Sequence, residues 1–367
     1  MNELQPASLQ DIPCLIAPLV PKPILRGARF YMPLLRAIGF HLVAPLRIKQ
    51  AVQFGRRHGV EFIWTELYGD VVVIAQKVAE KLRIPFVATV WDDPEGWLQD
   101  FGYDIFSRML LWNRFDEAVR KASKLATAGE AMQTGYKSKY GVDSVILRHG
   151  FENCVTPDEN LEKKDDIVIG FVGSPYGKET WMAFLHAVAA LNNTGKLPRI
   201  RLKTFGGGKF PYSYDGVEIE DRGWQPQDVM ITEIAETDFC YLPYWFDLHK
   251  RRHVELSFPN KFETYLAATR PILFHGPEYA GINKTIKQYR VGSAIHSLKK
   301  NTIIKTLEIF ITNQVASAGF KEACISAFHK EFNLDVMLRN FSRMVGTDPS
   351  SLSQKIPCSV GRSMTKI

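Results

Sequence analysis

Short β-branched runs alternate with segments of helical spacing along both halves of the chain, and this alternation predicts parallel-sheet α/β domains. In the first half, CLIAPLV (14–20) reads as a strand, RFYMPLLRAIG (29–39) as a helix and VEFIWTE (60–66) as a second strand. DVVVIAQKVAEKLR (70–83) carries its apolar positions at the period of an amphipathic helix, and PFVATVW (85–91) follows as a third strand. FSRMLLWNRFDEAVRKA (106–122) reads as a helix, KLATAG (124–129) as a strand and AMQTGYKSKYG (131–141) as a helix closed by glycine. SVILRHGFE (144–152) completes this half.

The pattern then stops at VTPDENLEKKDD (155–166), which is polar and without periodicity and reads as an interdomain linker over 153–166. It restarts with the strand IVIGFVG (167–173), the helix ETWMAFLHAVAALNN (179–193) and the strands RIRLKTFGG (199–207) and VEIEDRGW (217–224). QDVMITEIAE (227–236) is helical, TDFCYLPY (237–244) a strand and KFETYLAATR (261–270) a helix; PILFHG (271–276) and VGSAIHS (291–297) end the series as strands. The expected architecture is two doubly wound Rossmann-like domains, 1–152 and 167–325, facing a central cleft at the carboxyl ends of their strands. A helix over 326–345 is expected to pack back toward the first domain. The tail 346–367 has no packable face and is predicted to be disordered.

Composition adds bounds to this picture. A chain of 367 residues, 46% apolar and 23% charged, suits two folded domains and excludes a single small module or a disordered chain. The net charge of +7 is concentrated near the start: between Ile12 and Val60 stand Lys22, Arg26, Arg29, Arg36, Arg47, Lys49, Arg56 and Arg57, and no carboxylate. Such a field draws phosphates, whether on nucleic acid, on an anionic membrane or on a small-molecule donor, and charge alone does not choose among them. Cys14, Cys154, Cys240, Cys324 and Cys358 are scattered, without a CxxC pair or zinc-ligand spacing, so neither a disulfide framework nor a structural zinc site is indicated. No basic leader precedes the first apolar stretch, and no apolar run reaches the length of about eighteen needed to span a bilayer. The expectation is a cytoplasmic chain.

Two segments carry chemistry. GFVGSPYGKET (170–180) places a strand end, two glycines, a lysine and a helix start in succession. Glycine turns let backbone N–H groups approach an anion, the helix start adds partial positive charge and Lys178 a full one, so a diphosphate is the natural ligand. The segment matches neither GxxxxGK[ST] nor GxGxxG, which removes the main support for ATPase and dehydrogenase chemistry. The second segment is HVELSFPNKFETYLAATRPILFHGPE (253–278). A carboxylate at Glu263, in the first turn of a helix, can accept two hydrogen bonds from a vicinal diol such as a ribose, while Lys261 and the free N–H groups of the turn that holds Ser257, Pro259 and Asn260 face phosphate. At the end of the third strand, VWDDPEGW (90–97) offers Asp92 or Asp93 to a sugar hydroxyl, or an aspartate as the cap of the turn before Pro94. His149, His249 and His253, and the pair Tyr244 and Trp245, fit packing as well as they fit a ligand site.

The ordered string SFPNKFETYLAATRPILF (257–274) resembles the nucleotide-sugar site of GT-B fold glycosyltransferases, particularly glycosyltransferase family 4, whose pattern often reads P-x-K-x-x-E-Y-L-A-x-G-x-P-V. GSPYGKE (173–179) is similar to the family's phosphate loop, FGGG (205–208) to its next glycine turn, DRGW (221–224) to the segment bordering the base and YLPYW (241–245) to the strand end before the first glutamate. The likeness extends loosely from residue 60 to 300 and most closely from 167 to 278. It implies that Glu263 binds the ribose, that Lys178 and Lys261 neutralise the donor diphosphate and that Glu255 lies near the transferred sugar. Gly173 and Ser174 would cradle phosphate through their backbone, and Gly223 with Trp224 would border the base. The chain departs from the pattern: Ser174 replaces a frequent arginine, the phosphate loop is about one residue shorter, Leu256 and Ser257 follow Glu255 where the family has small-Phe-Gly, and Trp91 replaces the histidine before Asp92.

The resemblance implies transfer of a sugar from a nucleotide diphosphate sugar to a glycan, a lipid-linked sugar or another hydroxyl acceptor, with retained configuration. No D-x-D triplet occurs, so no metal-bridged diphosphate is indicated and no cofactor beyond the donor is expected. The same fold also serves nucleotide-sugar epimerases, and a non-catalytic module binding sugar nucleotide or nucleic acid stays open at this point. No helix-turn-helix or aromatic-basic RNA motif supports specific nucleic-acid recognition. Cations interleaved with Phe, Tyr, Leu and Ile near the N-terminus suit contact with an anionic membrane.

Overall fold

The computed structural model describes residues 32–101, 103–156, 166–206, 213–314 and 319–346. The strand expected at 14–20, the start of the helix expected at 29–39, the last two glycines of 205–208, most of the linker and the tail from 347 lie outside these residues. The chain divides into two compact units: Met1–Leu147 with Leu338–Ile367, and Arg148–Met337.

In the first unit, β1 (Ile63–Glu66), β2 (Phe86–Val90), β3 (Lys124–Thr127) and β4 (Ser144–Ile146) form a parallel sheet in that order. Every residue of β2 is buried, as a strand covered on both faces requires. The helices are α1 (Met32–Ile38), α2 (Ala44–Arg57), α3 (Ala75–Leu82), α4 (Pro94–Asp100), α5 (Ile105–Lys121) and α6 (Glu130–Tyr140). A π-helical turn at Gly39–Val43 joins α1 to α2. Strand and helix periodicity does not announce α2, because apolar residues occupy both of its faces: Ala44, Ile48 and Val52 are buried while Leu46 is exposed. The helix expected over 70–83 begins as a 3₁₀ turn at Gly69–Val73, where three consecutive β-branched valines disfavour α-helix, and becomes α-helical from Ala75.

The second unit holds β5 (Ile167–Val172), α7 (Lys178–Thr194), β6 (Ile200–Phe205), β7 (Glu218–Asp221), α8 (Gln227–Ala235) and β8 (Phe239–Pro243). It continues through α9 (Arg251–Leu256), α10 (Asn260–Ala267), β9 (Ile272–His275), α11 (Gly281–Tyr289), β10 (Gly292–Ile295), α12 (Lys300–Gln314) and α13 (Gly319–Ala327). Its six parallel strands take the order β10-β9-β8-β5-β6-β7, so the direction of winding reverses between β5 and β8. That reversal opens a crevice at the carboxyl ends of the two strands, where doubly wound sheets bind their ligands.

The core of this unit is aromatic. Phe184 on α7 stacks on Tyr241 of β8 with ring centroids 3.8 Å apart, and Trp181 packs against Phe171 of β5 at 4.8 Å. Each such burial contributes about 1.5–3 kcal/mol and clamps α7 to the sheet. Arg148–Phe151 join this unit because Leu334 donates its N–H to the Phe151 carbonyl and a side chain at Gly150 would strike the Asn333 backbone. The last helix, α14 (Leu334–Val345), carries the chain into the first unit, where Asn340 donates to the Ile146 carbonyl and Phe341 meets Trp64 edge-on.

β5 pairs with β6 over six residues but with β8 only at Ile169–Phe239 and Gly170–Cys240. The Tyr265 hydroxyl of α10 stands where they part. It accepts the Val172 N–H at 3.1 Å and donates to the Tyr241 carbonyl at 3.0 Å, replacing ladder bonds that the parting strands cannot make. Tyr265→Phe leaves two buried backbone groups unpaired and is expected to lower stability by about 1–3 kcal/mol with an unchanged denaturant dependence, read from urea unfolding. An unaltered midpoint would show that the hydroxyl does not pin α10.

Candidate functional site

The crevice is built from three loops that leave strand ends. Gly173, at φ +75°, turns the chain after β5 and donates its N–H to the Phe205 carbonyl at the end of β6. Gly206 in turn donates to the Gly223 carbonyl beyond β7, so these turns are laced together along one edge of the sheet. A Cβ on Gly173 would stand 3.2 Å from Lys261 Cε, which places the lysine stem directly against the turn. Gly177, at φ +68°, caps α7 without a side-chain hydrogen bond to the helix N–H groups, and the carboxylate of Glu179 in the first turn accepts the Phe246 N–H at 3.4 Å. Lys178 is exposed in the first turn and makes no ion pair among the described residues.

Lys261 is 6% exposed, in the first turn of α10. Its ammonium donates to the Ser174 carbonyl at 2.5 Å, lies 3.6 Å from the centre of the Tyr176 ring and 5.0 Å from that of Phe171. No carboxylate pairs with it among the described residues, and burial pushes its pKa down to about 7. Tyr176 is itself stacked on Trp245 at 4.7 Å, and the Lys250 ammonium lies 5.8 Å from the centre of the Trp245 ring. A cation held by π faces and one carbonyl lacks a counter-charge, and an anion entering beside Gly173 and the start of α7 would supply it.

Glu263 is buried two residues further along α10, and its Oε2 has no hydrogen-bond partner. Burial raises its pKa to about 8; its own backbone N–H and the charge of Arg148 oppose that rise. Arg148 lies over the rings of Phe258 and Phe332, at 4.3 and 4.9 Å, and donates to Glu331 at 3.1 Å. An orphaned buried carboxyl oxygen keeps hydrogen-bonding capacity that no protein group beside it uses.

The structure therefore brings Gly173, Ser174, Lys261 and Tyr244 to one wall. Tyr244 is buried: its ring meets Tyr176 edge-on, its carbonyl accepts the Thr180 hydroxyl at 2.7 Å, and its own hydroxyl shares a hydrogen bond with Ser257 at 3.2 Å. Pro259 is buried and Asn260 exposed at the start of α10. Gly223 touches this wall through Gly206, and Trp224 beyond it is exposed. Glu255 lies on α9 and is engaged by Arg251 four residues earlier, at 2.8 Å. Tyr176, Phe171, Tyr265 and Arg148 are absent from the sequence-derived set. Tyr176 sits inside the glycine segment already singled out, but only folding turns its ring toward Lys261.

In the first unit, the two adjacent aspartates after β2 have separate roles. Asp93 is buried, caps α4 through the Glu95 N–H at 3.2 Å and accepts the Tyr136 hydroxyl at 3.1 Å. Asp92 is half-buried, and its charge adds to burial in raising the pKa values of Glu66 at the end of β1 and of Tyr68. Among the described residues no group of His, Cys, Asp and Glu is placed to hold a metal ion.

No protein-family model matches the chain, and no curated protein matches it in sequence. Solved structures do match. Sucrose-phosphate synthase from Thermosynechococcus elongatus aligns over 88% of this chain and 80% of its own with a TM-score of 0.60 at 12% identity. Anabaena HepE in complex with UDP and glucose aligns over 84% of both chains with a TM-score of 0.59 at 14% identity. WaaG, a glycosyltransferase involved in lipopolysaccharide biosynthesis, aligns over 82% of this chain and 95% of its own with a TM-score of 0.54 at 12% identity. The two parallel-sheet α/β domains are those of the GT-B glycosyltransferase fold.

Because native Glu263 keeps its proton up to about 8 while an unfolded chain releases it near the ordinary 4.5, the folded state holds the extra proton between these values. Stability must then fall as pH rises through that window. Glu263→Gln removes the effect, so the parent is expected to lose stability relative to the variant from pH of about 5 to about 8 in urea unfolding. A difference independent of pH would mean that the native carboxylate is ionised throughout.

Proposed function

We propose that this chain is a glycosyltransferase that takes a sugar from a nucleotide diphosphate sugar and passes it to a hydroxyl of a glycan, a lipid-linked sugar or another acceptor. The observation that carries this reading is the buried Lys261 ammonium, without a carboxylate partner, held against the Gly173 turn at the crevice between β5 and β8. HepE, of the same fold, is a complex with UDP and glucose, which supports a nucleoside diphosphate as the anion for this crevice.

The diphosphate lies against the Gly173–Gly177 loop and the N-terminus of α7, with Lys261 and Lys178 answering its charge. Glu263 accepts both ribose hydroxyls, Gly223 and Trp224 border the base, and Glu255 meets hydroxyls of the sugar. In the first unit, Asp92 receives an acceptor hydroxyl. In transfer, the bond from the anomeric carbon to the phosphate oxygen breaks, the acceptor oxygen bonds to that carbon, and the acceptor proton passes to the leaving phosphate. The lysines and the helix N-terminus stabilise the developing phosphate charge, and the resemblance to glycosyltransferase family 4 implies that configuration is retained. Donor chemistry of this kind asks for no further cofactor.

Selective stabilisation by one of UDP, GDP, ADP or TDP in thermal melts is expected, because a ligand of the native state raises its stability by RT ln(1 + [L]/Kd). Lys261→Met and Glu263→Ala should each weaken that nucleotide by about tenfold or more, the first by removing a charge-assisted partner and the second by removing the hydrogen-bond acceptor of the ribose. Affinity should also fall as pH rises above about 7, where unliganded Lys261 gives up its proton, and Lys261→Met should flatten this profile. No response to any of the four nucleotides would overturn the reading, and conversion of the donor sugar to its epimer without an acceptor would reassign the chemistry.

A further inference from the structure

The continuous helical segment from α1 through α2 is apolar on two sides. Phe40, Ala44, Ile48 and Val52 face the interior of the first unit, as a helix covering a core requires. Leu34, Ile38, Leu42 and Leu46 recur every four residues on the opposite side and are exposed, Leu42 by 71%. A soluble helix reserves that side for polar residues.

A second apolar exposure adjoins it. α1 packs beside α5, and Arg36 donates to the Phe101 carbonyl at 3.2 Å while covering the Tyr103 ring at 4.2 Å. From this junction the first turns of α5 present Ile105, Phe106 and Met109 to solvent, Phe106 by 81%. Scattered apolar residues on a surface are ordinary, but two helices that expose apolar rows side by side form a patch.

The charges around the patch decide what covers it. His41, Lys49, Arg56 and Arg57 are exposed along the same helical segment, Arg108 is exposed on α5, and no carboxylate occurs between 32 and 60. Asp100 and Asp104 precede α5, and Asp104 spends its carboxylate on the N–H groups of Phe106 and Ser107. A second copy of the chain would bring the same cations against each other across a two-fold axis, without carboxylates in that segment to meet them. An anionic lipid surface answers both features, taking the apolar row into the acyl boundary and the cations at the headgroups.

We infer that this face of the first unit is a membrane-binding surface selective for anionic lipid, with Leu42, Leu46 and Phe106 inserting. No described helix is long and apolar enough to cross a membrane. The inference does not rest on the donor site.

The test is flotation of the full chain with vesicles of phosphatidylglycerol and phosphatidylcholine in equal amounts, against phosphatidylcholine alone. Binding to the anionic vesicles only is expected, weakened by salt, and lowered by about tenfold or more in Phe106→Ser and in Leu42→Ser. Both sites are exposed, so the variants should keep the parent's melting temperature, and Lys261→Met should float as the parent does. Failure of the parent to float, or flotation that both variants leave unchanged, would overturn the inference. A dimer in sedimentation that Leu42→Ser splits, without flotation, would assign the face to a second copy.

Discussion

Beyond Gly170 and Cys240 the strands β5 and β8 separate, and the hydroxyl of Tyr265 closes the gap that their hydrogen bonds leave. A parallel sheet that reverses its winding must part somewhere, and the parting strands expose backbone groups that water would otherwise reach. Supplying the missing partners from α10 has a geometric consequence. Lys261 lies one turn before Tyr265 and Glu263 half a turn before it, so the pin that seals the crevice also fixes both ionisable groups beside it.

Those two groups are held in forms that water would not favour. Burial pulls Lys261 down to about 7 and pushes Glu263 up to about 8, so each is poised near neutrality. Around Lys261 stand aromatic rings and a backbone carbonyl, which stabilise a cation without providing a counter-ion, and Glu263 feels the opposite charge of Arg148 without a hydrogen bond to its Oε2. The cost of keeping such groups buried is offset by the aromatic core beneath them, where Phe171, Trp181, Phe184 and Tyr241 tie α7 to the sheet. Stability is thus concentrated under the crevice, and unsatisfied polar capacity at its lip.

The first unit carries the opposite kind of feature. Its four strands run in simple order, and its distinctive property lies on the outside, where α1, α2 and α5 leave apolar rows uncovered. The loop after β2 shows how closely structural and chemical roles can sit. Asp93 is consumed as a helix cap and a tyrosine acceptor, and its neighbour Asp92 joins the electrostatics of Glu66 and Tyr68.

Alternation of β-branched runs and helical spacing was enough to determine two parallel α/β halves, because strand and helix periods depend on local side-chain direction. The glycine segment 170–180 and the lysine and glutamate of 257–274 were legible for a related reason: a backbone turn and a helix start restrict the residues that can follow them. What the sequence left undetermined has a common cause. The helix α2 hides because apolar residues line both of its faces, and that is visible only when one face is seen to be buried. Glu255 stands in the same string as Glu263, yet it is paired with Arg251 on a half-buried helix while Glu263 is enclosed, and spacing along the chain carries no information about burial. The roles of Tyr176, Tyr265 and Arg148 depend on groups tens to more than a hundred residues away. Only the tertiary structure decides such contacts, because desolvation and ring stacking arise from the packing of distant segments.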